Sequence, residues 1–115
     1  MTVIQELTEA VVRFRDERDW GRFHSPKNLA GSICIEAAEL LEVLQWVEGE
    51  DARDAARARV DRIAAEAADV GIYLLLLCRE VGIDLEDAVR RKLRENAEKY
   101  PVEKARGKAA KYTEL

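Results

Sequence analysis

The sequence predicts an all-α protein, and three observations carry that expectation. Good helix formers, Ala, Leu, Glu and Arg, dominate a chain that is 37% charged and 48% hydrophobic. Strand signals are nearly absent. Glycines are few, and there are only two prolines. At 115 residues the chain is about the size of one domain, long enough for a single core and too short for two comfortable ones.

The first helix is expected from about Thr2 to Arg18, with Val3, Leu7, Ala10, Val11 and Phe14 on one face at i, i+3, i+4 spacing. The stretch DWGRFHSP that follows reads as a loop. It ends on Ser25 at an N-cap position and Pro26 at the first helical position, where a missing N–H costs nothing. The second helix runs to about Glu48 and stops at Gly49. A charged, alanine-rich stretch, EDARDAARARVDR, comes next, and its C-terminal part enters a third helix that continues to Val81 and stops at Gly82. Asp84 and Asp87 cap the fourth helix, which runs to the Tyr100–Pro101 boundary, where proline disfavours further helix. The remaining VEKARGKAAKYTEL is basic and lacks a strong amphipathic pattern. Residues 1–100 are therefore read as a helical domain and 101–115 as its C-terminal tail.

A net charge of −4 and a pI near 5.1 argue against a partner such as nucleic acid, whose binding depends on a basic face that releases counterions. The N-terminal MTVIQELTEAVVRF lacks the basic start and apolar run of a signal peptide. The apolar run Val70–Cys78 is far shorter than the ~20 residues of a membrane span. These features predict a cytoplasmic protein without a membrane partner. Cys34 and Cys78 fall inside helices without CxxC spacing, which predicts buried thiols rather than a disulfide or a zinc site.

The second helix raises the functional question. In IEAAELLEVLQW, Ile33, Ala37, Leu40 and Leu44 define one apolar face, Ile35, Val43 and Trp46 another, and Glu36 and Glu39 lie between them. A solvated charge stripe sits opposite an apolar face, where Ala38, Gln45 and Glu42 are expected. The third helix repeats the arrangement: Glu66 and Asp69 are neighbours on one face, about 4.5 Å apart along the axis, in a helix that is apolar nearly all round beyond Val70. Carboxylates facing a core are penalised unless paired or neutralised, so these acids call for a cation. Oxygen ligands without histidine or cysteine suit Mg²⁺ or Mn²⁺ rather than zinc. The lone histidine, His24, is in a loop, and no Glu-x-x-His pair suggests a di-iron bundle.

On the fourth helix Lys92, Asn96 and Tyr100 share a face with Leu85 and Val89, where a lysine can either meet a phosphate or snorkel to solvent. Trp46 and Tyr73 lie i+7 from Glu39 and Glu66, about 10 Å along each helix, within reach of a nucleoside. Either of them, or Trp20, is equally able to serve as a core or interface anchor.

Taken in order, ERDWGRFHSPKNL at 17–29, ExxE then LQW at 36–46, ExxD then xxIYL at 66–74, and KYPVEKARGKAAKYTEL at 99–115 form a specific set. They resemble the MazG-like branch of the all-α nucleoside triphosphate pyrophosphohydrolases, most closely its dCTP pyrophosphatase group. The resemblance implies an antiparallel four-helix bundle assembled as a homodimer or homotetramer. It implies a catalytic domain at 1–100 that cleaves a nucleoside triphosphate, dCTP or a modified dCTP, to the monophosphate and pyrophosphate. By position, Glu36, Glu39, Glu66 and Asp69 match the catalytic Mg²⁺ ligands, with Mn²⁺ able to substitute. Trp20, His24, Trp46 and Tyr73 match the base and sugar pocket, and Lys92 and Asn96 match contacts to the phosphate and sugar end. Ile35 stands where many members carry a first glutamate, and Val11 where close relatives can present a polar group to the base. The alternatives are a dUTP or broad-specificity house-cleaning enzyme on the same bundle, and a non-catalytic helical oligomerisation module whose acids pair with arginines such as Arg57, Arg59 or Arg62.

Overall fold

A computed structural model describes residues 1–49 and 51–115. Glu50, the first residue of the charged stretch, lies outside the described residues. Among the described residues the chain is helical, without strands, and it divides into two compact units, Met1–Ile83 and Asp84–Leu115.

The first unit holds α1 (Val3–Glu17), α2 (Pro26–Val43), a short α3 (Ala52–Arg57) and α4 (Val60–Val81), with a 3₁₀ turn at Gly21–Phe23. Thr2 starts α1 through a capping box: its hydroxyl accepts the Gln5 N–H, and the Gln5 side chain accepts the Thr2 N–H. Ser25 caps α2 by accepting the Asn28 N–H at 3.2 Å, with Pro26 in the first turn, as the sequence predicts. Gly82 ends α4 in the left-handed conformation (φ 77°), which glycine adopts without a Cβ clash.

The seam between α2 and α4 carries the core, where Leu29, Val43, Leu76 and Cys78 are buried and Leu29 is only 1% exposed. The two helices run antiparallel: His24 meets Tyr73 at the start of α2, while Val43 at its end shares a cavity with Arg62. α1 also packs on α4, and a 2.7 Å ion pair from Arg79 to Glu9 fastens them.

Three expectations need correction and a fourth an addition. α2 ends at Val43 rather than near Glu48, because its last turns tighten to i→i−3 bonds from Leu44 to Leu41 (2.9 Å) and from Gln45 to Glu42 (3.3 Å). Trp46 therefore sits on a turn, 86% exposed. The third helix starts at Val60 within the charged stretch, as expected, but the stretch also holds a helix of its own, α3, set apart where the Arg59 guanidinium takes the Ala55 carbonyl at 2.8 Å while its N–H turns to Ala56. On α1 the covered stripe is Ile4, Thr8, Val11, Val12 and Arg15, leaving Leu7 and Phe14 exposed. Finally, Cys78 is buried as expected but Cys34 is exposed, both thiols are free, and α4 leaves Ile72 exposed.

The second unit holds α5 (Leu85–Lys99), a short α6 (Val102–Ala105) and a 3₁₀ turn at Tyr112–Glu114. Asp84 caps α5 by accepting the Asp87 N–H at 3.0 Å. The tail folds back on the end of α5: Tyr112 packs edge-on against Tyr100 at 6.0 Å, with the Lys99 ammonium 5.0 Å from the Tyr112 ring. None of the described helices is long and apolar enough to cross a membrane.

Candidate metal centre

Antiparallel packing of α2 on α4 brings three of the four acids of the two i, i+3 pairs into one cluster. Carboxylate oxygens of Glu36, Glu39 and Glu66 all lie within 4.8 Å of one another. Glu36 and Glu66 are half-buried, and each keeps one oxygen, Oε2, out of water and without a hydrogen-bond partner. Glu39 is exposed and faces a cleft rather than the core. Asp69 is also exposed and stands outside the three-acid cluster, but its charge acts on both Glu36 and Glu66.

The proton affinities follow from this crowding. Burial, first, pushes the Glu36 carboxyl above the usual carboxylate range, and the close approach of Glu39 and the charges of Glu39, Asp69 and Glu66 push it further. Glu66 is raised by the same causes, burial first and then Glu39 and Asp69, with Arg62 pulling the other way. Orphaned, partly desolvated carboxylate oxygens converging on one point form a hard, anionic donor set. Such a set fits a divalent metal ion.

The cluster opens onto a cavity of about 210 Å³ lined by Glu39, Glu42, Val43, Arg62 and Glu66. Arg62 and Glu42 line this cavity, although the sequence reading gave Glu42 to the solvated face and Arg62 only to the non-catalytic alternative; the spacing held the signal. Arg62 lies four residues before Glu66, and Glu42 three after Glu39, so each shares a helix face with a cluster acid.

The predicted pocket residues divide. His24 and Tyr73 come together on the α2–α4 seam, their rings edge-on with centroids 6.3 Å apart, and the buried Nδ1 of His24 has no partner. Trp20 packs edge-on against Phe14 at 5.8 Å, on the loop leaving α1. Asn28 braces that loop by donating from Nδ2 to the Phe23 carbonyl at 3.0 Å. Among the described residues no aromatic ring pair includes Trp46. Within the second unit, Lys92 is paired with Glu95 at 3.2 Å, an interaction that lowers the proton affinity of Glu95, and the Asn96 carbonyl accepts the Tyr100 N–H at 2.8 Å.

Known proteins share this arrangement of sequence. The MazG-like family matches residues 32–115, a span that includes all four acids. The chain is 37% identical over 114 residues to dCTP pyrophosphatase 1 of Bos taurus, covering 97% of this chain and 68% of that protein. Against dCTP pyrophosphatase 1 of Homo sapiens the identity is 37% over 115 residues, covering 97% and 67%. The fold is similar to the crystal structure of a pyrophosphatase from Archaeoglobus fulgidus, with a TM-score of 0.83, 44% identity, and 88% of this chain and 94% of that one covered. A match over so much of the sequence is a relationship by descent, and the chain belongs to the MazG-like family.

Proposed function

We infer that the protein is a Mg²⁺-dependent nucleoside triphosphate pyrophosphohydrolase acting on dCTP or a modified dCTP and releasing the monophosphate and pyrophosphate. The observation that carries this reading is the convergence of Glu36, Glu39 and Glu66 within 4.8 Å, with two buried oxygens unpartnered, on a chain similar to dCTP pyrophosphatases.

In this reading Glu36, Glu39, Glu66 and Asp69 hold the ion. A bound divalent cation supplies neutralisation of phosphate charge and makes water more acidic, which is the chemistry triphosphate hydrolysis needs. Glu36 or Glu39 orients a water and takes its proton. The water oxygen bonds to the α-phosphorus, the bond from that phosphorus to the bridging oxygen breaks, and pyrophosphate leaves with the electron pair. Lys92 offsets phosphate charge and Asn96 contacts the sugar end. Trp20, His24, Trp46 and Tyr73 hold the base and sugar, and base selectivity comes from polar groups that read the base edge.

The reading includes a four-helix bundle with residues 1–100 as the catalytic domain and 101–115 as its tail. It also includes assembly as a homodimer or homotetramer, a cytoplasmic location and no nucleic-acid partner. Its test is a comparison of wild type with Glu66→Ala on dCTP, modified dCTP and dUTP in the presence of Mg²⁺. Turnover by wild type and loss of it in a folded variant is the expected result, and the ranking of rates names the base. Full activity in Glu66→Ala removes the metal-site assignment.

A further inference from the structure

We propose that Arg62 is a further substrate-binding residue, one that holds the pyrophosphate end of the triphosphate; this rests on the pyrophosphohydrolase reading above. Arg62 stands on α4 one turn before Glu66 and lines the 210 Å³ cavity together with Glu39, Glu42 and Glu66. Its guanidinium is the cation among those carboxylates, yet none of the ion pairs among the described residues includes it. Arg15, Arg57, Arg79 and Arg90, by contrast, each hold a carboxylate. Among the described residues no carboxylate takes the N–H donors of the Arg62 guanidinium.

The cavity's size and lining say what those donors meet. Pockets that enclose a drug-sized ligand start near ~300 Å³, so this smaller one admits a fragment of a nucleotide rather than the whole. An acid-lined wall repels a bare anion, and the cluster accepts phosphate only once a cation neutralises it. A planar guanidinium matches two phosphate oxygens at once. Scission at the α-phosphorus places the departing charge on pyrophosphate, so a guanidinium beside the cluster acts where that charge develops. Lys92 is already engaged with Glu95 at 3.2 Å, whereas among the described residues Arg62 has no carboxylate to give up first.

The rival role for Arg62 is structural, as a counter-ion that keeps Glu66 ionised, and the two roles separate on binding measurements. Inorganic pyrophosphate is titrated calorimetrically, with Mg²⁺ present, into the full chain as wild type, Arg62→Gln and Arg62→Lys; Mg²⁺ alone is titrated into each. The exposure of Arg62 lets the variants fold, and thermal unfolding checks this. Loss of a charged hydrogen-bond pair weakens pyrophosphate binding about tenfold or more in Arg62→Gln, with partial retention in Arg62→Lys and no loss of Mg²⁺ affinity. KM for dCTP rises and inhibition by pyrophosphate weakens in parallel. Unchanged pyrophosphate affinity in Arg62→Gln overturns the proposal, as does a wild type that binds no pyrophosphate, or a variant that loses Mg²⁺ affinity alone. Pyrophosphate binding that depends on Arg62 in a protein that hydrolyses no triphosphate supports the anion site and overturns the pyrophosphohydrolase reading. Hydrolysis with equal KM in wild type and Arg62→Gln overturns only the role of Arg62.

Discussion

Glu36 and Glu66 hold their protons more tightly in the folded protein than in the unfolded chain, because burial and neighbouring acids penalise the charged form. Their contribution to stability is therefore fully present below the ordinary carboxylate pKa and is lost as pH rises through the raised folded-state values. Measured without metal, the stability advantage of wild type over a Glu36→Gln/Glu66→Gln double variant should fall as pH rises through that window. Saturating Mg²⁺ should reverse the trend, since a cation favours the ionised form. An advantage that grows with pH in the absence of metal contradicts the electrostatic account. Near neutral pH each single Gln variant should raise the unfolding temperature of the metal-free protein and lose the rise that Mg²⁺ gives wild type, both read by calorimetric melting. The acids themselves were legible in the sequence because two i, i+3 pairs lay between apolar faces. Their unequal exposure was not, because whether Glu39 or Asp69 meets solvent depends on how far apart the packed helices hold their backbones.

At the scale of elements, caps carried the prediction where it succeeded. Ser25–Pro26 and Gly82 mark the start of α2 and the end of α4 as the sequence predicts, since each satisfies a local backbone requirement. Ser25→Ala should cost about 1 kcal/mol of stability, read in a denaturant titration, because it orphans the Asn28 N–H. An unchanged midpoint would show that water replaces the serine oxygen without loss. The early end of α2 and the break between α3 and α4 had no such marker. One comes from i→i−3 tightening and the other from the Arg59 guanidinium competing for the Ala55 carbonyl, and neither involves a glycine or proline. The loop between α1 and α2 also holds more than its composition suggests. Asp19 takes a left-handed φ of 54°, and a Cβ at Gly21 would lie 3.3 Å from the Arg15 Nε. The backbone next to Trp20 is thus tightly specified.

Across the whole molecule, large apolar side chains stand in water: Leu7 and Phe14 on α1, Ile35 (60%) and Leu41 (68%) on α2, and Ile72 on α4. The sequence placed Leu7 and Phe14 on the apolar face of the first helix, and periodicity reports such a face without saying what covers it. Assembly with a second copy, as proposed, would cover the exposed Val3, Leu7 and Phe14 of α1. The expected mass by light scattering is two or four times 13.0 kDa, and a species at 13.0 kDa contradicts the assembly. Exposed Trp46 belongs to the same argument: on the turn that follows α2, it offers a ring for another chain or a ligand to cover. The non-catalytic module considered from sequence gives way because the relatives are pyrophosphatases; of its three arginines, Arg57 pairs locally with Asp54 and Arg59 holds a backbone carbonyl, while Arg62 does stand beside the acids.

The most direct measurement is product analysis of dCTP incubated with the protein and Mg²⁺ in oxygen-18-labelled water. Attack at the α-phosphorus yields dCMP carrying the label and unlabelled pyrophosphate, in a reaction that stops when Mg²⁺ is chelated. Label in the pyrophosphate, release of inorganic phosphate with dCDP, or no product with Mg²⁺ or Mn²⁺ contradicts the account.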